Sequence, residues 1–322
     1  MAVPAEQPPS LGLETPFVKE LQSRLLHSLG LRVENVPEPP GFIRGQSAKI
    51  AVLFSVTAAA ANSKNRNSSS PLPLPSTSVY EACPDRMTGR SAYAELQKTC
   101  SGRTWRFVAI DIPYSETLAH RDLVKRLMRP HNTEMDLSIA CALYFASRGQ
   151  GTVHTSTSSN TPPTPYTTSA RVLLSGLGAD ELFAGYGRHG VAFNRDGFRG
   201  LVSEIHLDVS RLGQRNLGRD DRVLSHWGRE TRFPYLDEDF VGWVLRAPVW
   251  EKCGFGLASF AESETGEAQS LPNIDAEKMS LRLVALRLGL ESVAREKKRA
   301  IQFGARTAKM EKGRTKGTDA LS

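Results

Sequence analysis

The chain has few cysteines and no Cys-x-x-Cys pair. Cys83, Cys100, Cys141 and Cys253 stand far apart, which excludes a zinc ribbon or a disulfide framework and fits a reducing compartment. The 7 histidines lack metal-ligand spacing as well. No apolar run approaches the roughly 20 residues of a membrane span, so no membrane partner is expected. Residues Met1 to Ser10 have neither a basic start nor an apolar signal core. The expectation is a soluble, cytoplasmic protein. No internal repeat is present.

What remains is 322 residues, 40% of them hydrophobic, enough for one large α/β domain or two small ones. The formal net charge is +7, and the excess gathers between Lys297 and Lys316. That stretch reads either as a solvated tail or as a contact for a polyanion. No aromatic platform or nucleic-acid motif accompanies it, so nucleic acid is not an expected partner.

The chain divides into a Pro-rich, flexible leader (1–15), one domain (16–309) and a basic tail (310–322). Phe17, Leu21 and Leu25 recur every four residues, which predicts a helix from Pro16 to Leu26 with proline tolerated in its first turn. Lys49–Phe54 is a short continuous apolar run, the pattern of a buried parallel strand. Trp105–Ile112 and Arg171–Leu174 are further strand candidates. Thr133–Ser147 reads as a helix opened by a Thr133/Asp136 capping box. Its body is apolar nearly all round and must be buried, by expectation against the sheet. A late helix runs from Asp275 to Leu288, with a Met279–Leu283–Leu286–Leu290 stripe and Gly289 as a stop. Segments 62–78 and 152–169 are low in complexity and read as flexible loops, as does a stretch around 258–269. The alternation of strand and helix predicts a doubly wound parallel α/β sheet, with any ligand at the carboxyl ends of the strands.

The most telling stretch is Arg171–Tyr186. An apolar strand meets Ser175-Gly176-Leu177-Gly178, then Ala179-Asp180-Glu181 and a helix-like segment. Such a corner exposes backbone N–H groups that can hold an anion, and its carboxylates suit Mg²⁺. Taken alone, Asp180 and Glu181 read equally well as first-turn acids favoured by the helix dipole.

Ser175–Tyr186 closely resembles the second nucleotide-site motif of the asparagine synthetases. Arg215–Arg222 and then Arg232–Asp237 are similar to that domain's second half in order and spacing, and Asp85–Arg90 and Lys298–Gly304 also resemble the branch called asparagine synthetase domain-containing proteins. The resemblance implies an adenine-nucleotide hydrolase-like (PP-loop) sheet with a helical C-terminal half. It implies ATP and Mg²⁺ as cofactors, and asparagine biosynthesis through an acyl adenylate of aspartate. Carried over position by position, it assigns ATP contacts to Leu53, Ser55, Ser175, Gly176 and Gly178, and a magnesium ligand to Asp180. Arg215–Arg222 and Arg232–Asp237 are expected to be structural, and Phe183 and Tyr186 to be core.

Several parts depart from the pattern. After Ser55 the family continues Gly-Gly-x-Asp-Ser, whereas this chain continues Val56-Thr57-Ala58-Ala59. An anion cradle and one magnesium ligand are lost with that change. Leu177 stands where active members carry a proton acceptor, a loss that typically costs about 10²–10⁴ in rate. The phosphate-binding lysine falls three residues before Phe303, at Ala300, although Lys297, Lys298 and Arg299 lie close by. Ala2 follows Met1, and only about 40 residues precede the first strand, so no glutaminase domain is expected. No residue is therefore assigned a catalytic role.

Two functions follow: an ATP-dependent ligase acting on aspartate, or a non-catalytic relative that binds a nucleotide or a protein partner. A third reading is that Val56–Ser78 reflects an error in gene structure, which the transcript would decide. As written, the sheet lacks a strand beside Ile50–Phe54, and an exposed edge of that kind predicts marginal solubility.

Overall fold

Short apolar runs build the centre of the molecule, and the helices that follow them cover it. The computed structural model describes residues 1–4, 7–54, 57–59, 80–153, 162–257, 274–305 and 318–321. The first helix, α1 (Pro16–Val33), carries Pro16 in its first turn and runs past the expected end at Leu26. Strands β1 (Ile50–Val52) and β2 (Thr57–Ala59), helix α2 (Pro84–Thr99), β3 (Asp111–Pro113), α3 (Tyr114–Leu127) and α4 (Glu134–Arg148) follow. Then come β4 (Gln150–Val153), β5 (Thr164–Thr167), β6 (Val172–Leu174), the short α5 (Ala179–Leu182) and the long α6 (Gly187–Leu212). A π-helical turn, Gly213–Leu217, joins α6 to α7 (Gly218–Ser225). Strand β7 (Glu230–Arg232), α8 (Glu238–Arg246), α9 (Met279–Arg287), α10 (Glu291–Arg295) and α11 (Ile301–Gly304) complete the order.

Three parallel strands form one sheet in the order β1–β6–β7. Val172 and Leu173 of the middle strand are 2% and 3% exposed, as a strand covered on both faces requires. On the outer side of β1 no described residue pairs with it, and Val52 is exposed there.

The candidate strand Trp105–Ile112 does not join this sheet. Ala109 instead exchanges both backbone hydrogen bonds with Thr152 of β4, and Asp111–Pro113 pairs in parallel with Thr57–Ala59. The Thr/Ser/Pro-rich segment 152–169 is in part a sheet: Val153 pairs with Thr164 and Gln150 with Thr167 in an antiparallel hairpin. Thr and Tyr fit a pleated surface well, which outweighs the loop-like composition. Segments 62–78 and 258–269 lie outside the described residues, as do 154–161.

The helix read at Thr133–Ser147 is α4, and Thr133 caps it by accepting from Asp136 N–H at 3.2 Å. It is buried as expected, but among helices rather than on the β1–β6–β7 sheet. Its Leu137, Ala140, Tyr144 and Phe145 pack with Val124 of α3 and Met128 at its end, Val223 and Leu224 of α7, and Ile110 and Ile112. A second core joins α1, α8 and α9 through Phe17, Leu21, Phe183, Phe240 and Leu283. The expected flexible leader is partly tied down, because Leu11 is buried in that second core. Of the basic tail, residues 318–321 are described, and Leu321 N–H donates to Asn132 at 2.6 Å. No described helix is long and apolar enough to cross a membrane.

Candidate functional site

Parallel pairing brings two strand ends to one place. Val52 of β1 lies opposite Leu174 of β6, and Leu53 N–H donates to the Leu174 carbonyl at 2.9 Å. Beyond these ends opens a cleft of about 530 Å³, within the size range of small-molecule sites. Leu53, Phe54, Gly176 and Asp180 form its floor, α2 one wall, and α9 with residues 292–301 the other.

The turn after β6 is held from inside. Ser175 N–H donates to the Arg232 carbonyl at 3.0 Å, and its hydroxyl accepts from Leu177 N–H at 3.3 Å. Gly178 adopts φ 101°, and a Cβ there would stand 2.5 Å from Leu236 Cδ2, so both backbone and space require glycine. At Gly185 a Cβ would stand 2.0 Å from Asp180 Oδ1. Its absence lets the Asp180 carboxylate lie flat against the chain. Helix α5 spans 4 residues, too few for peptide dipoles to sum to much. The charges at this corner are side chains.

Lys278 Nζ lies 2.9 Å from Asp180 Oδ1, and Lys298 Nζ 3.9 Å from Oδ2. Lys278 sits at φ 55°, ψ 32°, with its N–H on the Phe183 carbonyl at 3.0 Å. A left-handed lysine costs free energy and marks a position fixed by its surroundings. Lys298 Nζ is 4.5 Å from the centre of the Tyr186 ring, and the Arg188 guanidinium 4.1 Å from it, both cation–π distances. Burial holds the Lys298 ammonium below its ordinary pKa, opposed by the charge of Asp180.

Glu181, 2% exposed, turns away from the cleft. It accepts from the Tyr186 hydroxyl at 2.5 Å and from Asn216 Nδ2 at 2.7 Å. Burial, then the Glu181 charge, push the Tyr186 pKa well above normal. Burial and Asp180 raise the Tyr235 hydroxyl to about 12.

Of the residues singled out in the sequence, Leu53, Gly176 and Asp180 line the cleft. Ser175 and Gly178 shape its floor from behind, and Ser55 lies outside the described residues. Phe183 is core as expected, whereas Tyr186 is half-buried beneath two cations. Ala300 lies at the start of α11, and the nearest cation in that segment to reach Asp180 comes from two positions earlier, Lys298. Arg219 is structural, bonded to Asp136 and Asp220 at 2.7 and 2.8 Å, and Arg32 holds Asp237 at 2.8 Å. Tyr235 is an exception, since it lines the cleft. Lys278 carries no sequence signal beyond opening a helix.

Parallel strands ending in a glycine-bearing turn at a cationic cleft define an α/β protein with a cleft at the carboxyl ends of the sheet, the place where such sheets commonly take ligands. Residues 198–316 match the asparagine synthase family model. Asparagine synthetase domain-containing protein 1 of Bos taurus is 44% identical over 237 residues, 73% of this chain and 34% of that protein. The Homo sapiens protein of the same name is 42% identical over 245 residues, 76% and 35% of the two lengths. An asparagine synthetase domain-containing protein of Saccharomyces cerevisiae is 40% identical over 241 residues, 74% and 40%. The chain belongs to the asparagine synthase family, among the asparagine synthetase domain-containing proteins. It spans between a third and two fifths of the length of these relatives.

Proposed function

We propose that this chain is an asparagine synthetase-like domain that binds an adenine nucleoside triphosphate in the cleft and does not complete the amidation of aspartate. The sheet is read as the adenine-nucleotide hydrolase-like (PP-loop) arrangement. The observation that carries the binding half is the convergence of Lys278 and Lys298 on Asp180 at the ends of β1 and β6. Phosphate oxygens would take the two ammonium groups, and Leu53, Phe54 and Ile301 offer an apolar surface to a base. ATP would supply an activated adenylyl group, with pyrophosphate as the leaving group; the protein's own part is to hold and orient it.

The catalytic half is argued from what the site would need. Leu177 offers no proton acceptor. Tyr235 is a phenol in the cleft, and a hydroxyl held near 12 is a poor base at neutral pH. Magnesium is the ion the family resemblance gives to Asp180, and the donor set does not fit it as a resident ion. Among the described residues no three His, Cys, Asp or Glu side chains stand together, and the Asp180 carboxylate is ion-paired with Lys278 at 2.9 Å, although no described group donates a hydrogen bond to its Oδ1.

Calorimetric titration with ATP, beside an assay for AMP and asparagine from aspartate, ATP and ammonia, tests both halves. Binding without product supports the reading. No binding, or stoichiometric asparagine formation, overturns it.

A further inference from the structure

The charges around the cleft run against a metal-bound nucleotide. In magnesium sites, carboxylates and phosphates share the ion, with near-octahedral oxygen ligands at about 2.0–2.1 Å. Here, by contrast, residues 53–80, which follow β1 in the sequence, contain neither Asp nor Glu. On the β6 side the acid is Asp180, with one ammonium at 2.9 Å and a second at 3.9 Å. A single negative charge flanked by two positive ones exerts no net pull on a dication. Glu296, two residues before Lys298, is held by Arg299 at 2.6 Å and by the Thr88 hydroxyl at 3.1 Å. Five basic side chains line the cleft against three acidic ones.

We propose that the cleft takes its nucleoside triphosphate as the free anion, with Lys278 and Lys298 supplying side by side the two positive charges that a magnesium ion would bring. This rests on the nucleotide reading above and names the form of the ligand. Asp180 is then a counter-anion. It keeps two mutually repelling ammonium groups together, and it would yield them to phosphate oxygens when the ligand enters. The Phe183 carbonyl anchors the Lys278 backbone at 3.0 Å, and the Tyr186 ring lies 4.5 Å beneath the Lys298 ammonium.

The test is ATP binding to the full chain, by calorimetry, in EDTA and again in excess MgCl₂. Binding in EDTA is expected to be at least as tight as in magnesium. Lys278→Met and Lys298→Met each weaken it by about tenfold or more, the worth of one charge-assisted contact. Asp180→Asn, which keeps the shape and removes the competing charge, tightens it by about two- to fivefold. Water-proton relaxation with Mn²⁺ and no nucleotide provides a separate measure, and no bound Mn²⁺ is expected at millimolar concentration. ATP binding that requires magnesium, weakening in Asp180→Asn, or Mn²⁺ bound by the wild type and lost in that variant each overturns this inference alone. ATP that fails to bind in either buffer overturns the nucleotide reading as well.

Discussion

Replacing Gly178 with alanine separates a backbone requirement from a mere loop position. The residue sits at φ 101°, and an added Cβ would meet Leu236 Cδ2 at 2.5 Å and Tyr235 Cβ at 3.1 Å. The left-handed backbone costs alanine about 1–2 kcal/mol. Forcing Leu236 aside adds about 1–3 kcal/mol. The stiffer unfolded chain returns about 0.4–1 kcal/mol. The net expectation is a loss of about 1–5 kcal/mol, read as a lower urea midpoint at unchanged slope. Gly176→Ala, two residues earlier, is the control: its Cβ would meet nothing within 4 Å and its φ is not in the left-handed region, so its midpoint should barely move. Equal midpoints for Gly178→Ala and Gly176→Ala would refute the reasoning that this turn is fixed by sterics.

Other expectations concern buried and charged groups. Lys252 is fully buried, and no described group hydrogen-bonds its Nζ. Burial pulls its pKa down to about 7. Between pH 7 and about 10.5 the unfolded chain holds the proton and the folded one does not, so stability should rise with pH across that window. Lys252→Met should flatten this rise and raise the melting temperature at pH 7, as a thermal-melt series over pH would show. Glu81 is held at about 2 by its hydrogen bonds to Arg90 and Arg86, against some desolvation. Its folded pKa is depressed, so its contribution is present above about pH 4.5 and lost as pH falls through 2; Glu81→Gln should weaken the acid dependence of unfolding followed by circular dichroism. Thr133→Ala removes the α4 cap and should cost about 1 kcal/mol in a urea titration.

Some of this architecture is written locally and some is not. Lys49–Phe54 and Arg171–Leu174 are legible because a continuous apolar run at a strand's length has few other uses. Thr133 announces its helix through its own side chain. The all-round apolar face of α4 says that it is buried but not against what, and helices α3 and α7 turn out to be its partners. The pairing of Ala109 with Thr152 was not legible, since hydrogen-bond partners across some forty residues leave no mark in either segment. At the site, the Ser175–Asp180 turn is readable because glycine positions are sterically forced. Lys278 is not, because it comes from about a hundred residues downstream and a lone lysine at a helix start is ordinary. Lys298 was in view, but counting back from Phe303 pointed to Ala300, and a count cannot say which way a chain curves before α11.

The π-helical turn at Gly213–Leu217 sets the phase of what lies on either side. One residue in an α-helix is about 100° of rotation, and a π turn stores one extra. Removing Gly213 would heal the hydrogen-bond ladder across this join, yet swing Asn216 off its 2.7 Å bond to Glu181 and Arg219 off its 2.7 Å bond to Asp136. The irregular turn is thus a spacer: an α-helical join of better local geometry would take one donor each from buried Glu181 and half-buried Asp136, 35 and 83 residues away in the chain.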